Sequence, residues 1–256
     1  MGTRRGAQRA ARTFTVRLRA MTPAEPVVVA LREVEKDYKS LRPLRVQHLE
    51  LRQGESIALL GFDATAAEIL VNLVTGATLP DSGEVDVFGV STRLIADPDA
   101  WLVEMDRFGI LSQRVVLLDA FTVEQNLALP FTLEIEELSD PVLATVRVLA
   151  AEVGLLPQLS QRPASLDAEA QLRLRLGKAL ALGPRVLLAE HPNAMLPADA
   201  VSRFAAALAG VVAARKLSML VMTADSAFAR AVSTRTLTLN AATGELKRAS
   251  GWRRWF

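Results

Sequence analysis

Short unbroken apolar runs alternate along this chain with longer stretches in which apolar residues return every three or four positions. Runs at residues 27–31, 49–51 and 56–60 have the length of short strands, with a polar turn region at 39–43 between the first two. Residues 66–75 carry helical spacing and stop at Gly76, a residue that tolerates the left-handed conformation found just past a helix end. A Pro80-Asp81-Ser82-Gly83 turn precedes the alternating Glu84-Val85-Asp86-Val87-Phe88-Gly89, an expected edge or hairpin strand. Helical spacing predominates from 123 to 182, interrupted near 154–157 and at Pro163. Within it Asp167 is the expected N-cap of a helix that runs to about Leu182, where Gly183-Pro184 stops it. Further on, 186–189, 217–223 and 236–240 read as buried strands, with a helix over 198–214. Strands alternating with helices downstream of Gly61 predict an α/β fold with a mainly parallel core sheet and right-handed crossovers.

Composition narrows the chemistry. With 256 residues, half of them apolar, the chain can bury a large core, and aromatics at 5% favour packed helices and short strands over an all-β design. The absence of cysteine excludes disulfides, thiolate zinc sites and a cysteine nucleophile, and suits a reducing cytosol. Two histidines, His48 and His191, leave little material for a histidine metal cluster. A net charge of +2 offers no field that would argue for nucleic acid. No apolar run approaches the ~20 residues needed to span a bilayer, so membrane contact is expected to be peripheral or through a partner.

The ends differ from the rest. Residues 1–20 carry Arg4, Arg5, Arg9, Arg12, Arg17 and Arg19 and no acid, so residues 1–25 are expected to be a basic disordered extension. An organellar presequence, or a true start at Met21, are the alternatives. Residues 249–256 form a basic and aromatic tail whose Trp252-Arg253-Arg254-Trp255-Phe256 suits a lipid interface or an acidic partner, with a solvated tail as the plain alternative.

Gly61 stands where a strand would enter a phosphate loop of the form GxxxxGK[ST]. In that frame the chain reads Ala66 for the glycine, Ala67 for the lysine and Glu68 for the hydroxyl residue. A charge-assisted bond from lysine to phosphate, worth roughly 1.5–3 kcal/mol, is therefore missing. Asp63 and Glu68 instead bring two carboxylates to a helix start that would otherwise attract an anion. Thr65-Ala66-Ala67-Glu68 also fits the capping-box pattern, with Thr65 as N-cap.

The order of landmarks from about residue 27 to 248 resembles the nucleotide-binding subunit of ATP-binding cassette (ABC) transporters. Tyr38 is similar to the adenine-stacking aromatic before the phosphate loop, and residues 73–89 to the stretch after it. Gln113, ending Ile110-Leu111-Ser112-Gln113, resembles the Q-loop glutamine, and residues 122–130 the segment that follows. Residues 163–184 fall in the frame of the signature motif and its helix, and residues 185–192 in the Walker B frame. The resemblance implies a P-loop NTPase fold of ABC type: an N-terminal antiparallel β part, a mainly parallel core sheet, and a helical subdomain at about 115–180 within a domain covering 26–248. It also implies a remnant nucleotide site at Tyr38, Gly61, Thr65, Ala67, Glu68 and Gln113, and remnant magnesium positions at Glu190 and Gln113. His191 falls at the catalytic glutamate, Pro197 at the D-loop aspartate and Ala224 at the switch histidine. Asp167 and Glu169 stand where the LSGGQ signature has its serine and a glycine, so two carboxylates are expected to face a partner's triphosphate.

Loss of lysine, signature glycines, base and switch together points to a degenerate pseudo-ATPase, a scaffold or regulatory partner of a membrane transport complex. Its expected partners are a permease and a second cassette, either a copy of itself or a paralogue, at the cytoplasmic face of the membrane. No cofactor is expected, ATP and magnesium entering only if the site still functions. Two alternatives stay open: an active but atypical ATPase using Glu190, His191 and Gln113, and a soluble interaction protein without a permease. At single positions, His191 is either a general base or a surface histidine. Tyr38 either stacks on adenine or packs on its own sheet. Gln113 either meets a coupling element or ends a strand. Residues 122–131 faintly resemble cassettes of lipid-trafficking systems, which is too little to name a substrate.

Overall fold

The computed structural model describes residues 25–95 and 97–248, and in it two sheets enclose a common interior. Strands β1 (Val27–Lys36), β2 (Leu44–Arg52), β4 (Ser82–Val87) and β5 (Val90–Ser91) form an antiparallel sheet in the order β2-β1-β4-β5. The second sheet contains β3 (Ser56–Leu60), β6 (Phe108–Ser112), β7 (Val186–Glu190), β8 (Ser218–Met222), β9 (Arg235–Leu239) and β10 (Leu246–Arg248), ordered β10-β9-β3-β8-β7-β6. Every neighbouring pair in it is parallel except β10 with β9. Strands β7 and β8 are buried at all five positions each, which is why their sequences are continuous apolar runs with no alternation.

Alternate residues of these strands feed opposite layers. Ile57, Leu59, Leu188 and Leu220 pack toward α1 (Ala64–Val74) and the antiparallel sheet. Ala58, Leu187, Ala189, Met219 and Val221 pack on the helical side, against α3 (Val123–Ala128), α4 (Asp140–Glu152), α5 (Ala168–Leu180), α6 (Ala198–Arg215) and α7 (Ser226–Val232). Gly109 lets α5 lie close on β6: a Cβ there would stand 2.4 Å from the Ala179 carbonyl oxygen. No helix among the described residues is long and apolar enough to cross a membrane.

Three local expectations need correction. The first helix begins at Ala64, two residues early, with Asp63 as its N-cap. Thr65 is therefore inside the helix, and the Thr65–Glu68 capping box does not form. The first strand runs on to Lys36, because it pairs with β2 on one side and β4 on the other. A short helix, α2 (Pro98–Met105), was not legible, since its exposed Leu102 and Val103 blur any apolar face. The expected basic extension and the aromatic tail lie outside the described residues, apart from Glu25.

Candidate functional site

Gly61 leaves β3 with φ 87°, and a Cβ there would stand 3.0 Å from the Leu239 carbonyl oxygen, so conformation and space both call for glycine. The chain then passes almost directly into α1. The Asp63 carboxylate accepts from the Ala66 amide at 2.7 Å, and the Asp63 carbonyl accepts from the Ala67 amide at 2.9 Å. The Ala66 amide, a donor that would otherwise be free at the helix start, is thus used internally, while the Ala67 amide makes the first ordinary bond of the helix. Ala67 is fully buried in the layer between the sheets, with Phe62 packed in the same cluster, while Thr65 is exposed.

The residue at the centre of the site is one that motif reading passed over. Arg114 follows β6, and its Nε donates to Glu190 Oε2 at 3.0 Å while Nη2 donates to Glu190 Oε1. Its Nη1 donates to Glu68 Oε1 at 2.8 Å. Ser112 Oγ donates to Glu190 Oε2 at 2.9 Å and accepts from the Arg114 amide at 3.1 Å. Strand register accounts for this convergence: Glu190, the last residue of β7, lies opposite Ser112, the last of β6. The Glu190 side chain is only 7% exposed, whereas Arg114 is 47% exposed. Hydrogen bonding to Glu190 holds the guanidinium above its ordinary pKa, opposed by partial burial and reinforced by the charges of Glu190 and Glu68. One cation thus ties together the acids in the hydroxyl position of the phosphate-loop frame and the magnesium position of the Walker B frame.

Behind the clamp the loop is held by α5. Arg175 Nε donates to the Val115 carbonyl at 3.1 Å and Lys178 Nζ to that of Val116 at 2.9 Å. Burial lowers the pKa of both cations, and for Lys178 the neighbouring Arg175 lowers it further. Gln113 is exposed and takes no part in the clamp. Asn126 is fully buried and pins the next stretch through the Leu118 amide and the Leu118 and Thr122 carbonyls.

His191 and Ala224 meet elsewhere. Both line a cavity of about 470 Å³ together with Asn193, Thr223 and Asp225. His191 has φ 43°, a left-handed conformation that costs on the order of 1–3 kcal/mol for a non-glycine residue, and its amide donates to Met222 O at 2.9 Å. Among the described residues its buried Nε2 has no hydrogen-bond partner. Thr223 Oγ1 donates to Asn193 Oδ1 at 2.8 Å, and Asp225 caps α7 through the Ala227 and Phe228 amides. Tyr38 is half-buried and packs against the core between the sheets.

In the signature frame, Asp167 caps α5 by accepting from the Ala170 amide at 2.7 Å, as the sequence led us to expect. Glu169 corrects the expectation of two outward carboxylates. Its side chain is 11% exposed and bound by Arg173, at 3.1 and 2.7 Å, and by Arg203, at 2.9 Å, so its charge is neutralised within the fold. Pro197 begins α6 without a side-chain cap.

Solved structures of similar architecture include ATP-binding cassettes of ABC transporters. The chain superposes on cbiO1 from Clostridium perfringens, part of the ABC transporter complex cbiONQ, with a TM-score of 0.73, 17% identity, and coverage of 84% of this chain and 85% of that one. It superposes on the cassette MJ0796, solved as a dimer in a post-hydrolysis state bound to ADP and Pi, with a TM-score of 0.70, 21% identity, and coverage of 88% and 100%. The chain has the fold of an ATP-binding cassette. No protein-family model matches it. Among curated proteins, the lipoprotein-releasing system ATP-binding protein LolD of Nitrobacter winogradskyi is 29% identical over 203 residues, 78% of this chain and 87% of that protein. The methionine import ATP-binding protein MetN of Brucella abortus is 26% identical over 229 residues, 90% of this chain and 62% of MetN.

Proposed function

We propose that this cassette is the nucleotide-binding-type subunit of a membrane transport complex, serving as scaffold or regulatory partner without turning over ATP. The Arg114 clamp on Glu68 and Glu190 carries the reading. A triphosphate with its magnesium does not fit the frame as built. Magnesium takes oxygen ligands at ~2.0–2.1 Å in near-octahedral geometry, and the Glu190 oxygens are already committed to Arg114 and Ser112. Opening a fully buried ion pair costs about 3–5 kcal/mol, and somewhat less here because Arg114 is half exposed. Ala67 supplies no cation to a phosphate, and Asp63 already occupies the Ala66 amide. Phosphoryl transfer depends on positioning and charge neutralisation, and both are directed inward in this site.

The names of the relatives support a transport setting, so a permease partner, a second cassette and a place at the inner face of the membrane belong to the proposal. So does the division into a cassette at 26–248 with a helical subdomain at about 115–180. Titration calorimetry with ATP and magnesium, beside a phosphate-release assay with the candidate permease present, is expected to give no specific heat and no turnover. A second reading, an atypical ATPase, is favoured by the buried His191 Nε2, which has no hydrogen-bond partner among the described residues. Turnover that His191→Ala abolishes would establish it in place of the first.

A further inference from the structure

At the end of the six-stranded sheet opposite the Arg114 clamp lies a second cavity, of about 530 Å³, that the reading above does not use. Parallel pairing places it there: Ser56 opens β3, Leu217 precedes β8 and Thr234 precedes β9, whereas the clamp stands at the ends of β6 and β7. The two helices beside it contribute small side chains to its wall, Ala209 and Ala213 from α6 and Ala231 from α7. Its floor is apolar, made by the buried Val212, Leu217 and Val232. Small molecules bind in cavities of ~300–1,000 Å³ that are lined mainly by apolar groups and carry a few polar ones at fixed places.

The polar groups on the wall select the class of guest. Ser233 Oγ donates to the Ala229 carbonyl at 2.7 Å and Thr234 Oγ1 to the Ser56 carbonyl at 2.9 Å, so both hydroxyls have spent their protons and can only accept from a guest. Glu25 adds a carboxylate to the same lining and Lys216 an ammonium. Among the described residues neither has an ion-pair partner, and they do not pair with each other. A guest with a single charge is attracted by one of them and repelled by the other, whereas a guest with both charges gains at each. We propose that this cavity binds a small zwitterion with an apolar body, of the class of the apolar amino acids. Its ammonium lies among the acceptors, its carboxylate at Lys216, and its side chain on the floor of Val212, Leu217 and Val232. Removing the side chain and the floor from water supplies the affinity, and the two charges, exposed on the wall, supply the selection. The site stands apart from the clamp, so it does not depend on whether ATP is turned over.

Titration calorimetry on the full chain with phenylalanine or leucine, and with the methyl ester and the N-acetyl derivative of each, separates these contributions. The amino acids are expected to bind, and each derivative, which lacks one of the two charges, to bind about fivefold more weakly, the scale of an exposed ion pair. Lys216→Ala should weaken the amino acid about fivefold and leave the methyl ester, which has no carboxylate, no weaker than before. Glu25→Gln should likewise weaken the amino acid and spare the N-acetyl compound, which has no ammonium. Ala213 is exposed on α6 and lines the cavity, so Ala213→Trp should fill the space and abolish binding of all the compounds while thermal unfolding stays as in the parent chain. No heat from either amino acid at millimolar concentration would overturn the proposal. So would equal affinity for the amino acid and its two derivatives, a loss on Lys216→Ala that the methyl ester shares, or binding that survives Ala213→Trp.

Discussion

Two regions of this protein carry carboxylates where a phosphate-binding protein of the same fold would carry amides or a cation, and they dispose of the charge in different ways. At the start of α5, Glu169 is neutralised by Arg173 on its own helix and by Arg203 on α6. The face that remains is a helix start capped by Asp167. At the loop after β3, the neutralising group is Arg114, which comes from a different strand end and stands between Glu68 and Glu190, in the middle of the site. Acidic residues read from sequence therefore do not give the field. At the first region, the counter-charges come from the acid's own helix and its neighbour; at the second, one guanidinium joins two acids from different elements.

The comparison breaks most sharply at Arg114. Arg114→Ala leaves Glu190, 7% exposed, without its guanidinium partner, and should lower stability by about 2–4 kcal/mol in urea or thermal unfolding; a loss within experimental error would show the clamp to be incidental. Glu169→Ala should cost less, about 1–2 kcal/mol, because Arg203 is already 58% exposed and can turn to water. An equal or larger loss than for Arg114→Ala would reverse the contrast drawn here.

The caps sharpen it further. Asp63→Ala and Asp167→Ala each remove a carboxylate bonded to a helix amide at 2.7 Å, and each should cost ~1 kcal/mol by chemical denaturation. Similar losses would show that the two regions differ in their counter-ions and not in their helix starts. The smallest effect is expected away from both, at Asp81. Hydrogen bonds from Lys36 and then from the Asp37 amide hold its carboxyl below the ordinary 3.8. A depressed acid stabilises the fold above its unfolded pKa and loses that contribution as pH falls through the folded one. The melting-temperature difference between the protein and Asp81→Asn should accordingly be small at neutral pH and disappear in acid.

Much of the fold was legible because burial leaves a periodic trace. The all-buried runs at β7 and β8, the helix after Asp167 and the glycine at position 61 all report local requirements. The pattern Thr-x-x-Glu/Gln shows where such reading stops. Among the described residues it occurs at Thr65–Glu68 and at Thr122–Gln125, and only the second forms a capping box. At the first, Asp63 lies two residues upstream and takes the Ala66 amide, so the helix has already begun when Thr65 is reached. Arg114 was missed for a related reason. The motif singles out its neighbour Gln113, although Glu68 and Glu190 without a nearby cation in their own frames, and an arginine beside the Q-loop position, were a usable signal.

What the sequence determined by itself is the cassette architecture and the identity of the residues in each reactive frame, since strand burial, helix spacing and motif order are properties of neighbours along the chain. What only the tertiary structure decided is which charges meet. Glu68, Ser112, Arg114 and Glu190 come together because parallel pairing of β6 and β7 aligns their ends beside α1. Electrostatic energy depends on distance and burial across elements, and neither is written in the order of residues.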